Sequence, residues 1–441
     1  MDDNPIWMPY HRYSRDLSIA AGRSVSNIMA IVEAGSIDAF TLAEPTEQRT
    51  IEARSRSEDL KARTAAVTAI AASNAAEVDG DARFPEEAIT AARAKGLLGV
   101  MVPRDLGGEG ASLSNVVDVC YSLGRACSST AMIYAMHQIM VACVVRHRRN
   151  SAWLEHLLRR LVAEQLLLAS STTEGRGGGN IRSSEAPIER SGSRIILERS
   201  ATVISYGAHA DAIVTTARRS ADAPSSDQVL VAFIKDDYSL EPLLEWDTLG
   251  MRGTCSAGFK LKASGDKDQI LPDPYEKIHV QTMTPIAHLT WASVWTGIAA
   301  AAVERAQSFI RHAARQANGQ LPPGAAHFTK ANAALRTLRG LVASLLRQYE
   351  RVSQDEPALA SLDFQTMVNL TKIEASELAV ATVMSAFRAC GLSGYRNDSE
   401  FAIGRHLRDV LSSPIMINND RILANIAPVA LMSAVPNSLS N

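Results

Sequence analysis

The period of the apolar residues changes twice along this 441-residue chain, and that double change limits the folds open to it. From Ser55 to about Leu168, apolar residues recur at spacings of three and four within Ala-, Leu- and Arg-rich segments, as in Leu154, Leu157, Leu158 and Leu161. Such spacing predicts amphipathic helices. Between Leu166 and about Ala263 the period falls to two and β-branched residues replace alanine, in Arg194-Ile-Ile-Leu, Thr202-Val-Ile-Ser, Ala212-Ile-Val-Thr-Thr, Gln228-Val-Leu-Val-Ala-Phe-Ile and Phe259-Lys-Leu-Lys-Ala. These read as strands with one face buried. After Pro285 the helical period returns, with Leu335, Leu338, Leu341 and Leu345 in one stripe and Leu370, Ile373, Val380, Met384 and Phe387 in another, closed by Gly391 and Gly394. The chain therefore reads as mainly α with a central β-domain. Its parts are an extension over 1–54, a helical domain over 55–168, a β-sandwich or barrel over 169–278 and a C-terminal helical bundle, of four-helix type, over 279–441. Within the first helical part, Gly96-Leu-Leu-Gly-Val-Met-Val-Pro predicts a strand-like piece followed by a glycine-rich turn.

A formal charge of −2 gives no bulk electrostatic reason to expect nucleic acid or an anionic membrane as partner, which leaves small molecules. Five cysteines with no CxxC pair speak against a disulfide framework and against a zinc site, so no metal is expected and a reducing cytoplasm fits. The opening Met-Asp-Asp-Asn-Pro precedes no apolar core of a secretory signal. The most apolar run, Ala292 to Val303, is shorter than the ~20 residues of a membrane span.

Where the period first changes, the chain reads Ser171-Thr-Thr-Glu-Gly-Arg-Gly-Gly-Gly-Asn180. Glycines remove the Cβ atoms that keep a bulky planar group from the backbone, and Ser and Thr offer short hydrogen bonds to a polar ring edge. The stretch fits the seat of a flavin, and equally a surface turn between strands. Its position at a junction between a helical and a β-domain is where cofactor pockets preferentially form.

Several strings, in order, resemble the acyl-CoA dehydrogenase superfamily over roughly Ser55 to Met432. They are Gly96-Leu-Leu-Gly-Val-Met-Val-Pro with Gly107-Gly-Glu-Gly; Thr173-Glu174 and its glycines; Ser205-Tyr-Gly; Leu249-Gly-Met-Arg-Gly; and Gly394-Tyr followed by Leu407-Arg-Asp. The resemblance implies FAD held between the β-domain and the C-terminal bundle, with FMN the alternative in an oxygenating member. It places Thr172 and Thr173 at the flavin pyrimidine, Gly179 beside the pyrophosphate and Ser205 near the flavin N5. Arg315 is similar to the arginine that reaches a neighbouring subunit's cofactor, which implies a homodimer or homotetramer. An acyl-CoA or carrier-bound acyl thioester is the implied substrate, with an electron-transfer flavoprotein or a flavin reductase as electron partner.

One feature of the family is missing. Removing the α-proton of a thioester needs a positioned base, yet aligning on Arg408-Asp409 puts Ile417 at one usual glutamate position, and aligning on Thr296-Gly297 puts Ala287 at the other. The resemblance still implies α,β-oxidation of an acyl thioester with hydride passing to the flavin N5, a flavin-dependent monooxygenase being the alternative, and the missing glutamate leaves three readings open. Asp420, one helical turn beyond Ile417, acts as the base; His288, beside Ala287, handles the proton; or no α-proton is abstracted, and Ile417, Asn418 and Asn419 line the dry pocket of a flavin-dependent monooxygenase. An inactive flavin-binding scaffold is a further alternative. His137, in an apolar helix, is a second candidate for the pocket wall and equally a core residue.

Overall fold

The computed structural model describes residues 46–174 and 182–432. The chain divides between Ala53 and Arg54, and the second part holds nearly all of the described residues. The second takes in most of α1 (Thr46–Gly80), then α2 (Glu86–Ala94), α3 (Leu113–Ala126), α4 (Ser128–His147) and α5 (Ala152–Glu164). Local chemistry starts these helices where the polar spacers stand: the Ser112 hydroxyl accepts from the Asn115 N–H, and the Ser151 hydroxyl from the Leu154 N–H. The piece from Gly96 to Val102 is a buried turn and not a strand. Its Leu97 and Leu98 carbonyls find side-chain donors on α4, so no sheet partner is needed.

Two sheets come next. β1 (Leu168–Ser171), β4 (Ala212–Arg218) and β5 (Gln228–Ile234) form one, ordered β1-β4-β5, with β1 parallel to β4. β2 (Glu189–Ser191), β3 (Arg194–Ala201), β6 (Tyr238–Leu244) and β7 (Gly258–Asp266) form the other, ordered β2-β3-β7-β6 and antiparallel throughout. β3 alternates exposed and buried residues along its length, as its period of two predicts, whereas β4 and β5 are buried almost throughout. Thr202-Val-Ile-Ser, read as a strand, leaves the ladder: β3 ends at Ala201, and the Ile204 and Tyr206 N–H groups donate instead to the carbonyls of Ala257 and Thr254.

Helices then return as α6 (Tyr275–Ile278), a π-helical turn (His279–Met283), α7 (Thr284–Gln316), α8 (Ala325–Val352), α9 (Glu356–Ala360), α10 (Leu362–Cys390), α11 (Leu392–Tyr395), α12 (Gly404–Val410) and α13 (Asn419–Met432). α7, α8 and α10 are the long members of the bundle. The apolar stripe read on α10 is split, because Leu370 and Met384 point outward at 40% exposure while Val368, Ala375, Ala379, Val383 and Ala386 carry the buried face. Small residues face the neighbours here because α10 packs on two helices at once, and periodicity does not report that. By length and apolarity alone, α4 and the run Tyr275–Gln316 could cross a bilayer, yet 89% and 100% of their apolar windows are buried against other elements. They are core helices of this fold.

The N-terminal helices and the bundle meet most closely where α3 crosses α7. A Cβ on Gly297 would stand 2.4 Å from the Tyr121 carbonyl oxygen, and one on Gly124 would stand 2.6 Å from that of Val294. The backbones are too close for any side chain. Gly297→Val should therefore lower the unfolding free energy by about 2 kcal/mol or more, as overpacking does, whereas Gly340→Ala, with open space around it, should not; urea denaturation measures both.

Candidate functional site

A cavity of about 390 Å³ opens where the β-domain meets the helices, within the ~300–1,000 Å³ span of small-molecule sites. The end of β1 contributes Ser170, Thr172 and Thr173, and the segment after β3 contributes Thr202, Val203 and Ser205. Trp246, Met251, Thr254 and Ser256 form a third side, Met132 and Met136 of α4 the floor, and Ser412, Ile415, Met416 and Ile417 the lid ahead of α13. Among the described residues of this wall there is no carboxylate, imidazole or cation.

The β side is stapled at Glu174. Its carboxylate accepts from the Ser184 hydroxyl at 2.5 Å and from the Glu185 N–H at 2.7 Å, which draws the end of β1 towards the approach to β2. Behind it lies Arg199, fully buried, 3.6 Å from Glu174 and bonded to the Thr216 hydroxyl at 2.7 Å. Burial pulls this guanidinium down to about 10, and the nearby Glu174 charge opposes that.

The Leu249-Gly-Met-Arg-Gly string and the Arg408-Asp409 pair meet at this cavity. A Cβ on Gly250 would fall 2.2 Å from the Arg408 carbonyl oxygen, so the position requires glycine. The next residue, Met251, donates its N–H to Asp409 Oδ1 at 2.7 Å. Burial pushes the Asp409 carboxyl up, and hydrogen bonds from the Met251 N–H and the Ser128 side chain oppose it. Arg408 is engaged with Asp79 of α1. On the cavity side, Ser205 Oγ, Ser256 Oγ and Thr254 Oγ1 form a chain with separations of 2.8 and 2.7 Å.

The lid is fastened from below by Lys372, a residue buried on α10. Its three ammonium donors go to the Ser413 carbonyl at 3.1 Å, the Ile417 carbonyl at 2.8 Å and Asn419 Oδ1 at 2.7 Å, and the charge lies 5.6 Å from the centre of the Trp295 ring. Burial lowers this amine to about 8, so it remains charged at pH 7. Ile417 sits at φ +52°, a conformation that costs a β-branched residue energy and persists only where the surroundings hold it.

Of the residues singled out in the sequence, Thr172, Thr173, Ser205 and Ile417 converge on the cavity. Gly179 lies outside the described residues. The others stand elsewhere. His137 is a structural clamp: its Nδ1 accepts from the Leu168 N–H at 3.0 Å, so its Nε2 carries the proton and donates to the Leu98 carbonyl at 2.9 Å. His288 is buried between helices, 3.3 Å from the Val368 carbonyl and packed near Trp291, and burial lowers it to about 3. Asn419 is buried behind the lid on Lys372, Ser376 and Glu377, while exposed Asn418 caps α13 by accepting from the Arg421 N–H. Asp420 is exposed in the first turn of α13, where its charge complements the helix dipole. Arg315 is exposed near the end of α7. Sequence reading missed Trp246, Thr254, Ser256 and Lys372. The string Arg252-Gly-Thr-Cys-Ser was visible, yet only its cysteine stands out by side-chain chemistry, and a lone Lys on a helix gives no sign of burial.

The cavity suits a flavin. Its wall offers a row of hydroxyls on one side and thioether, indole and aliphatic surface on the others. Residues 57–165 match the acyl-CoA dehydrogenase N-terminal domain and residues 289–413 the C-terminal domain, together more than half of the chain. The chain belongs to the acyl-CoA dehydrogenase family. It is 24% identical to the probable acyl-CoA dehydrogenase FadE25 of Mycobacterium tuberculosis, over 82% of this chain and 91% of that one. It is 26% identical to the amino sugar nitrososynthase DnmZ of Streptomyces peucetius, over 77% and 84%. In structure it is similar to FMN-bound TdsC, a dibenzothiophene monooxygenase of Paenibacillus sp. A11-2, with a TM-score of 0.76 at 18% identity, covering 86% of this chain and 98% of that one. This family member is a flavin-dependent oxidoreductase.

Lys372→Met leaves three buried acceptors without donors. It should cost about 3 kcal/mol of stability in urea at pH 7 and weaken flavin binding at least in proportion to the loosened lid, as fluorescence titration would show. His137 supplies a pH test. The unfolded chain takes up its proton near pH 6.5 and the folded chain only near pH 4, so this stabilisation is complete above pH 6.5 and lost as pH falls towards 4. Between pH 7 and 4.5, His137→Gln should lose about 2 kcal/mol less than the parent protein.

Proposed function

We propose that the protein is a flavin-dependent monooxygenase acting on an uncharged, largely apolar substrate. The observation that carries this reading is the chemistry of the wall: among the described residues, hydroxyls, thioethers, an indole and aliphatic chains, and no group able to take a carbon-bound proton. α,β-Oxidation of a thioester needs such a base. Asp420 faces solvent, and His288 does not line the cavity and is a weak base where it lies. Among its described residues the wall also offers no cation to a charged substrate group.

When bound and reduced, a flavin would supply two electrons to O2, so that one oxygen atom enters the substrate and the other leaves as water, the substrate giving up the remaining two electrons. The protein's part is to hold the ring, exclude water and orient the substrate. Thr172, Thr173 and Ser205, whose side chains line the cavity, would meet the polar edge of the ring. Met132, Met136, Ile415, Met416 and Ile417 provide the apolar enclosure that keeps reactive oxygen species from bulk water. Electrons reach a site of this kind on reduced flavin delivered by a reductase. Exposed Arg315 is available to the cofactor of a second copy, in keeping with a homo-oligomer.

Two assays on the flavin-loaded protein decide the matter. With acyl-CoA thioesters in the absence of oxygen, the flavin absorbance should persist. With chemically reduced flavin, 18O2 and a panel of aromatic and sulfur-containing heterocycles, a product carrying one 18O atom should form. Anaerobic bleaching by a thioester with release of the enoyl product would overturn the reading in favour of a dehydrogenase.

A further inference from the structure

Four of the chain's 13 methionines line the cavity between the β-domain and the helices: Met132 and Met136, one turn apart on α4, Met251 in the turn before β7, and Met416 in the lid. Methionine fills irregular apolar space well, and its sulfur can also take up an oxygen atom. The four differ in access. Met132 and Met251 are 3% and 5% exposed, whereas Met136 and Met416 are half-buried and open to the cavity. Met384 on α10 and Met432 at the end of α13 are 40% and 78% exposed and stand away from this wall. Bulk solvent therefore reaches the second pair more easily than the first, and anything set free inside the cavity meets the first pair before the second.

Where no substrate takes the oxygen, the two electrons of a reduced flavin and two protons turn O2 into hydrogen peroxide. One molecule within about 390 Å³ corresponds to a local concentration of about 4 M, which falls to that of the protein once it escapes. A thioether sulfur attacks one peroxide oxygen: the S–O bond forms as the O–O bond breaks, sulfur gives up two electrons, and the other oxygen leaves with both hydrogens as water. The product is a sulfoxide, which makes a flexible apolar side chain polar.

We propose that Met416 and Met136 are sites of self-oxidation, converted to sulfoxides by peroxide set free in the cavity when flavin is reoxidised without substrate, and that the sulfoxide at Met416 loosens the lid. The inference rests on the oxygenase reading and is independent of which substrate is oxidised. Met132 and Met251 are enclosed on nearly all sides, which leaves little room for the added oxygen. At Met416 the oxygen arrives where the lid is fastened: the Met416 N–H donates to the Ser412 carbonyl at 2.9 Å, and Lys372 holds the carbonyls of Ser413 and Ile417 on either side of it in the chain. The flanking Ile415 and Ile417 side chains have no donor to offer. A sulfoxide there stays unpaired at a cost or turns outward to water, and either movement draws the lid away from the ring.

The test takes flavin-loaded protein, freed of unbound flavin, through repeated anaerobic reduction and reoxidation by O2, with catalase present to destroy peroxide that has left the protein. Peptide mass spectrometry then reads the added oxygen at each methionine. Sulfoxide at Met416 and Met136 should exceed that at Met384 and Met432 by about threefold or more, and protein treated instead with added hydrogen peroxide and no catalase should show the opposite order, because exposure to solvent then decides. Flavin dissociation, followed by fluorescence, should be about threefold faster after the cycles, return to its starting rate on treatment with methionine sulfoxide reductase, and show no such acceleration in Met416→Leu. Sulfoxide at Met416 and Met136 no higher than at Met384 and Met432 after cycling, with O2 consumed, would overturn the assignment. Unchanged dissociation with Met416 oxidised would overturn the effect on the lid. If the reduced, flavin-loaded protein consumes no O2, the oxygenase reading itself falls, and the self-oxidation with it.

Discussion

The bond from the Met251 N–H to the Asp409 carboxylate joins residues 158 positions apart, and the candidate site depends on it. It ties the turn before β7 to α12 at the one place where Gly250 lets two backbones touch. Asp409 is buried and charged groups pay heavily for burial, so the carboxylate is stable there only with its donors in place. Those donors fix the distance between the β-domain and the bundle. The cavity is the space left between them.

Three further charged groups set the cavity walls. Glu174 with Arg199 behind it gathers the β1 end, and Lys372 gathers the lid. Replacing such groups by apolar ones is often neutral for stability when all partners go together. Their effect here is geometric. A Leu in place of Lys372 would fill the same volume, yet it could not draw two carbonyls and an amide onto a single point, and Ile417 would be free to leave its left-handed conformation.

Fold and reaction separate cleanly in this chain. The helical, β and helical order belongs to the family framework. What the cavity presents to a substrate comes from a few side chains in loops, and the family's dehydrogenase and monooxygenase members share the scaffold. The missing glutamate could be read in the sequence at Ile417. That neither Asp420 nor His288 replaces it in the described wall became clear only from where α13 begins and how α7 and α10 enclose the imidazole.

The sequence by itself determined the succession of helix, sheet and helix, because hydrophobic period is a local property that each segment carries alone. The strings that resemble the family also carry Thr172, Thr173, Ser205 and Ile417, which the fold brings to one cavity. The sequence did not determine which residues of a helix face a second helix, so the stripe on α10 was misread at Leu370 and Met384 and the burial of Lys372 was invisible. Nor did it reveal that His137 binds two backbone groups or that Thr202-Val-Ile-Ser leaves the ladder. Those outcomes depend on which distant backbone groups lack partners, and only the folded chain brings donors and acceptors from α4, β1, α10 and the 250–256 turn within about 3 Å of one another.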